Sequence, residues 1–126
     1  MTEPRVAAVV VTYNRRELLL ESLAAIEAQA RRADTVIVVD NASTDGTADA
    51  VRALGADVSL HVLDRNTGGA GGFAYGIAAA LRSAADLIWL MDDDTVPEPD
   101  ALAALLDARA NYRGAPPALV ASRVVW

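Results

Sequence analysis

The chain has 126 residues, enough for one domain with a real core, and its 53% of hydrophobic residues is rich in alanine, so that core is built from small side chains. A net charge of −6 excludes the basic stripe of a nucleic-acid surface, and the absence of cysteine excludes a disulfide framework and thiol chemistry. There is no apolar run of membrane-spanning length and no charged-then-apolar leader at Met1-Thr2-Glu3-Pro4-Arg5, and every basic side chain is arginine, which is a coding bias more than physics.

Val6 to Val11 is a continuous run of Val and Ala, the pattern of a strand covered on both faces. It ends in Thr12-Tyr13-Asn14-Arg15, where Asn14 and Glu17 have the spacing of a capping box. Leu18, Leu19, Ser22, Leu23 and Ile26 then make one stripe of a helix that should fade near Arg31-Arg32, with Ser22 as its weak point. Thr35 to Val39 is a second buried strand ending in Asp40-Asn41. A short helix is expected from Thr47 to Leu54, stopped by Gly55. Val58 to Leu63 alternates and suits a third, less buried strand. The glycine stretch Gly68-Gly69-Ala70-Gly71-Gly72 follows, then a helix from about Phe73 to Ser83. Leu87 to Met91, with Trp89 expected in the core, is a fourth buried strand ending in Asp92-Asp93-Asp94. Pro97-Glu98-Pro99-Asp100 opens a helix carrying Leu102, Leu105 and Leu106. Asn111 to Pro117 reads as a loop and Ala118 to Trp126 as the start of a fifth strand. Because the sequence stops on the apolar Val124-Val125-Trp126, a longer protein of which this is the N-terminal part is expected.

Strands alternating with helices at this spacing predict an α/β fold with a mostly parallel, Rossmann-like sheet and helices on both faces. The whole chain, residues 1–126, is expected to form a single domain. In such sheets ligands bind at the carboxyl ends of the strands, where the acids lie. Three adjacent carboxylates repel one another by several kcal/mol per close pair, about 4 at an effective dielectric near 20. They are tolerated if solvated or if a cation neutralises them. Asp92 and Asp94 project to one side of an extended backbone and Asp93 to the other. Two same-side carboxylates suit Mg²⁺ or Mn²⁺ shared with substrate phosphates. A solvated acidic turn is the alternative.

Other motifs divide in the same way. Asn41 to Gly46 imitates the start of a calcium loop, but Arg52 stands where a bidentate glutamate is needed, so calcium is rejected. Asp40 ends its strand as Asp92 does, and either accepts hydrogen bonds from a ligand or shapes an Asx-turn. Gly69-Ala70-Gly71-Gly72-Phe73-Ala74 matches the G-x-G-x-x-G/A fingerprint and raises an NAD(P)-dependent oxidoreductase as the competing function. Asp64 to Gly68 separate strand from glycine, against the tight turn that fingerprint requires. The glycines could equally offer amides to any diphosphate, or form a flexible loop. His61 is read as a strand residue. Tyr13 and Tyr75 could stack on a base but more simply pack.

Taken together, Val9-Val10-Val11-Thr12-Tyr13-Asn14-Arg15, Val38-Val39-Asp40-Asn41-Ala42-Ser43-Thr44-Asp45-Gly46-Thr47, Arg65-Asn66-Thr67-Gly68-Gly69-Ala70-Gly71-Gly72-Phe73 and Asp92-Asp93-Asp94 resemble the family 2 glycosyltransferases of GT-A fold, nearest their galactofuranosyl- and rhamnosyltransferase branch. The resemblance implies the nucleotide-sugar-binding half of such an enzyme, with strand order 3-2-1-4 and the crevice between strands one and four. It implies that Thr12, Tyr13, Asn14, Arg15 and Asp40 line base and ribose, and that Asn66, Gly69 and Gly72 lie beside ribose or diphosphate. Asp92 and Asp93 would also face the donor, while Asp92 and Asp94 hold Mg²⁺ or Mn²⁺. The implied reaction is inverting, metal-dependent transfer from a nucleotide-diphospho-sugar, with UDP-galactofuranose or dTDP-rhamnose favoured. The acceptor would be a glycan or lipid-linked, with no nucleic acid among the partners. The implied setting is cell-wall or polysaccharide synthesis in a bacterial cytoplasm, with peripheral attachment of the full-length protein to the inner face of the membrane as an option the resemblance leaves open. The general base is expected beyond Trp126; Glu98 and Asp100 more simply cap a helix.

Overall fold

The computed structural model describes residues 3–126. Eight elements follow in order: β1 (Val6–Thr12), α1 (Arg16–Glu27), β2 (Thr35–Asp40), α2 (Thr47–Arg52), β3 (Val58–Val62), α3 (Gly68–Arg82), β4 (Leu87–Asp92) and α4 (Ala101–Ala110). The strands form one parallel sheet in the order β3-β2-β1-β4, as expected. Alternation along β1 sends Ala8 and Val10 to one face, where they meet Leu19, Leu23 and Ile26 of α1 and Val51 of α2. Ala7, Val9 and Val11 point to the other face and meet Ala79 and Ala80 of α3. β1 is thus covered on both faces, and all seven of its residues are buried.

The glycine stretch is not a loop. It forms the first turns of α3, which starts about five residues earlier than the sequence pattern predicts. The physical reason is close packing. A Cβ on Gly76 would lie 2.4 Å from Val9 Cγ1, and one on Gly72 2.5 Å from Val11 Cγ1. Those glycines let the helix axis approach the sheet, and Ala79 and Ala80 continue the same small-residue face at helical spacing.

Four further expectations are corrected. Asn14 and Glu17 make no capping box: α1 begins at Arg16, whose amide donates to Asp45 Oδ2 (3.1 Å) from another loop. The helix also ends at Glu27, short of Arg31-Arg32. β4 is an edge strand instead of a doubly covered one, so Leu90 is exposed and Trp89 only half-buried against the α1 side of the core. Ala118–Trp126 forms no strand, because it pairs with no neighbour, and Leu119, Val124, Val125 and Trp126 are exposed. Ser22 is the weak point of its stripe: it is fully buried and its hydroxyl has no hydrogen-bond partner.

Candidate donor-binding cleft

A cleft of about 320 Å³ opens at the carboxyl end of the sheet, where β1 and β4 part company with the loops that follow them. Its wall includes Thr12, Tyr13, Arg15, Asn66, Gly69, Asp92 and Asp93 of the residues singled out above, together with Val11, Asn41, Gly68 and Phe73. Register explains the convergence. Thr12 pairs with Asp40 on one side of β1, and Val11 with Asp92 on the other, so both strand-end acids lie at the same edge of the sheet.

The three consecutive acids have three different environments. Asp93 is buried, accepts a hydrogen bond from Thr12 Oγ1 at Oδ2 (2.9 Å) and receives Arg15 Nη1 at Oδ1 (3.3 Å). Asp94 is exposed and paired with the same Arg15 nitrogen at 3.5 Å. Asp92 is exposed at the cleft, and its carboxylate has no hydrogen bond or ion pair among the described residues. The Thr12–Asp93 bond ties the end of β4 to the end of β1, which fixes the turn on which Asp92 and Asp94 are carried. Among the described residues no group of three or more His, Cys, Asp or Glu side chains is disposed to hold a metal ion.

Four of the expected site residues are not on the cleft wall. Asp40 is completely buried; Oδ1 accepts from the Ser43 amide (3.0 Å) in a turn, and Oδ2 has no partner among the described residues. Asp40 thus shapes the backbone of the loop that follows, through an amide three residues on instead of the two of an Asx-turn. Asn14 serves as a staple between loops. It adopts a φ of +49°, donates its amide to Ser43 Oγ and accepts from the Thr44 amide through its side chain (2.7 Å). Gly72 lies beneath the cleft against Val11 and Asn41. Asp94 stands outside it.

Asn41 was missed as a site residue, although it is buried and reaches the cleft. Its Nδ2 donates to the Gly68 carbonyl (3.0 Å), and its Oδ1 accepts from the amide and hydroxyl of Thr67 (3.1 and 2.9 Å). It therefore holds the start of α3 against the end of β2. Asn66 Oδ1 accepts from the Gly68 amide (2.8 Å), while Thr67 offers no side-chain cap and no acid occupies the first turn, so the glycine-rich N-terminus of α3 keeps amides without a side-chain partner. A Cβ on Gly68 or Gly69 would meet nothing within 4 Å, unlike one on Gly72. The dinucleotide fingerprint is not realised. Residues 63–67 separate β3 from α3, β3 lies at the sheet edge, and Gly71 and Gly72 face Thr67 and Val11.

Behind the acids, the buried Gln29 anchors the connection to α4. Its amide donates to the carbonyls of Ala25 and Glu98 (3.1 and 2.7 Å), and its Oε1 accepts from Leu102 N (3.1 Å). Asp45 joins two helix starts, since besides the Arg16 amide it accepts from the amide and hydroxyl of Thr47. The Thr47 hydroxyl, then the amides of Arg16 and Thr47, hold the Asp45 carboxyl below its ordinary range.

The chain is similar in sequence and fold to known proteins. The chain is 48% identical over 92 residues to "Galactofuranosyltransferase GlfT1" of Mycolicibacterium smegmatis, an alignment covering 73% of this chain and 30% of the relative. The fold superimposes on a mannosyltransferase, PcManGT of Pyrobaculum calidifontis, solved with GDP-Man and Mn²⁺, with a TM-score of 0.69 and 34% identity over 87% of this chain and 33% of that one. S. aureus TarS residues 1–349, solved with UDP-GlcNAc, matches with a TM-score of 0.67 and 26% identity over 90% and 37%. The chain thus spans about a third of the length of the GlfT1 relative. Glycosyl transferase family 2, as a family model, matches residues 7–114, which takes in every strand and helix described above except the first residue of β1, and the chain belongs to that family.

Proposed function

We propose that residues 1–126 form the nucleotide-sugar-binding half of a metal-dependent, inverting glycosyltransferase. The observation that carries this is Asp92, a carboxylate at the end of β4 that lines the cleft and has no partner among the described residues, next to an Asp93 that Thr12 ties to the end of β1. Mg²⁺ and Mn²⁺ are commonly held by one or two carboxylates plus substrate phosphates, with no need of an all-protein cage. The donor set here fits that pattern: Asp92 is free, and Asp94 is engaged only by one half-exposed ion pair. Asp92 and Asp94 would hold the ion, which when bound supplies Lewis-acid neutralisation of the leaving diphosphate.

The residues of this chain bind and orient the donor. Tyr13 is an exposed aromatic ring on the wall, suited to a nucleobase face. Asn66 and the Gly69 backbone border the side where ribose and diphosphate would run, and Gly69 has room for close approach. The group that takes the acceptor's proton belongs, in this reading, to the part of the protein beyond these residues. The relationship to a galactofuranosyltransferase favours UDP-galactofuranose, with dTDP-rhamnose second, and a glycan or lipid-linked acceptor in bacterial cell-surface polysaccharide synthesis. Such an acceptor places the whole protein in the cytoplasm at the inner membrane face. Among the described residues no helix is long and apolar enough to cross a membrane.

Calorimetric titration tests the reading. UDP should bind only with Mn²⁺ or Mg²⁺ present, and UDP-galactofuranose should bind more tightly than GDP-mannose. Binding of NADH in preference to UDP with Mn²⁺ would refute it.

A further inference from the structure

Arg15 stands in an unexpected place for a residue assigned to base and ribose. One of its nitrogens, Nη1, is 3.3 Å from Asp93 and 3.5 Å from Asp94, and the residue lines the cleft. The two contacts are unequal. Asp93 is buried and both of its oxygens are engaged, one by Thr12 and one by Arg15. Asp94 and the Arg15 side chain are each about half exposed, 54% and 53%. Ion pairs this open contribute little and exchange readily. Asp92, Asp93, Asp94 and Arg15 together carry two uncompensated formal negative charges, which equals the charge of one divalent cation.

We propose that Arg15 is an internal counter-ion that occupies Asp94 in the donor-free protein and releases it when metal and diphosphate arrive together. Arg15 keeps its hold on the fixed Asp93 and turns its remaining donors toward the diphosphate oxygens, for which a guanidinium is well shaped. Asp94 is thereby freed to join Asp92 on the ion. Metal alone must compete with Arg15 for Asp94. Metal with diphosphate need not, because the arginine gains a new anionic partner. The consequence is strong positive coupling between Mn²⁺ and nucleotide, and linkage requires that coupling to be reciprocal. Arg15 is thus a positioning residue for the metal site, and this role rests on the metal-and-donor reading given above.

The test is Mn²⁺ titration followed by electron paramagnetic resonance, with and without UDP, on the wild-type chain and on Arg15→Gln, Arg15→Lys and Asp92→Asn. The Arg15 side chain supports no helix bond, since only its carbonyl accepts from Leu19 N (2.9 Å), but it does pair with the buried Asp93, so circular-dichroism melts of each variant set a temperature at which all are folded and the affinities are compared there. Arg15→Gln should bind Mn²⁺ without UDP about tenfold more tightly than wild type, and the gain on adding UDP should shrink by about the same factor, within the usual span of coupling between sites. Arg15→Lys, which keeps the charge, should restore most of the wild-type coupling. Equal or weaker UDP-free Mn²⁺ affinity in Arg15→Gln overturns the counter-ion role. If Mn²⁺ binding is nevertheless lost in Asp92→Asn, the metal reading stands without it. Wild-type Mn²⁺ affinity in Asp92→Asn overturns both.

Discussion

Asp40 and Asp92 end the strands on either side of β1, at the same edge of one sheet, yet they differ in almost every physical respect. Asp40 has no exposed surface, and the loop of residues 41–46 turns back over it, drawing the Ser43 amide onto its carboxylate. Asp92 is exposed, and the chain after it leaves through a turn whose buried member is Asp93. On the Asp40 side, Asn14, Ser43, Thr44 and Asp45 knit the loops to one another and to α1. On the Asp92 side, a few long-range bonds from Thr12 and Gln29 hold the backbone and leave one acidic side chain free. A strand-end acid is left open at the cleft or enclosed as a structural acceptor according to what the next six residues do, and the strands themselves do not decide it.

The largest expected effect breaks the pair apart. Asp92→Asn should weaken Mn²⁺-dependent UDP binding on the order of 100-fold, the upper range for disturbing a metal site, with stability changed by no more than about 0.5 kcal/mol. Asp40→Asn keeps an acceptor for the Ser43 amide and should leave UDP binding within about twofold of wild type, because the carboxylate is closed off from the cleft. Calorimetry on both variants, with chemical denaturation alongside, checks the contrast. Loss of binding in Asp40→Asn at unchanged stability would show that the buried acid reads the ligand after all.

A second contrast separates the glycines that face the site from those beneath it. Gly72→Ala places a methyl group 2.5 Å from Val11 Cγ1 and 3.1 Å from Asn41 Nδ2, so α3 must shift. Overpacking of this kind costs about 1–3 kcal/mol, and the displaced Asn41 should weaken UDP binding as well. Gly69→Ala meets nothing within 4 Å in the chain. It should leave the unfolding free energy level or raised by up to about 1 kcal/mol, since alanine favours helix. Any loss of UDP affinity in that variant then reports how closely the ligand approaches the α3 backbone.

These contrasts also mark where sequence reasoning reaches. The parallel sheet was legible in β-branched runs alternating with helices, whereas the strand order and the gathering of Thr12, Tyr13, Arg15, Asn66, Gly69, Asp92 and Asp93 at one cleft came from the family resemblance and not from local pattern. The early start of α3 was legible in principle: Gly72, Gly76, Ala79 and Ala80 recur at helical spacing, and the glycine run concealed it. The Thr12–Asp93 bond was not, since 81 residues separate the partners and nothing local links them. Asn41 was hidden in a run of turn formers, and its role exists only because α3 starts beside it. The burial of Asp40 likewise depends on a cover that no strand pattern specifies. The tail from Ala118 carries strand-like residues without a pairing edge, so pattern alone overstates it.

The smallest effect concerns acid, and it tests whether the closed side of the comparison is held by charge. Asp45 is held below the ordinary carboxylate range, chiefly by the Thr47 hydroxyl, and Asp34 by the Val6 amide that it accepts at 2.8 Å, with Arg31 adding to it. A depressed folded-state value means that the unfolded chain binds protons first. The stabilisation is therefore complete above the ordinary value, about 4, and is lost as pH falls through the lower folded-state values. Thermal melts between neutral pH and about pH 3 should show a flat plateau and then a declining acid limb. Asp45→Asn should shallow that limb while lowering the plateau slightly, because an amide still accepts at one oxygen but no longer as an anion. Asp34→Asn should do the same through the start of β1, at the far edge of the sheet from the cleft. If the limb is instead unchanged in both variants, the loops around Asp40 are closed by geometry alone, and the difference between the two strand ends owes nothing to carboxylate charge.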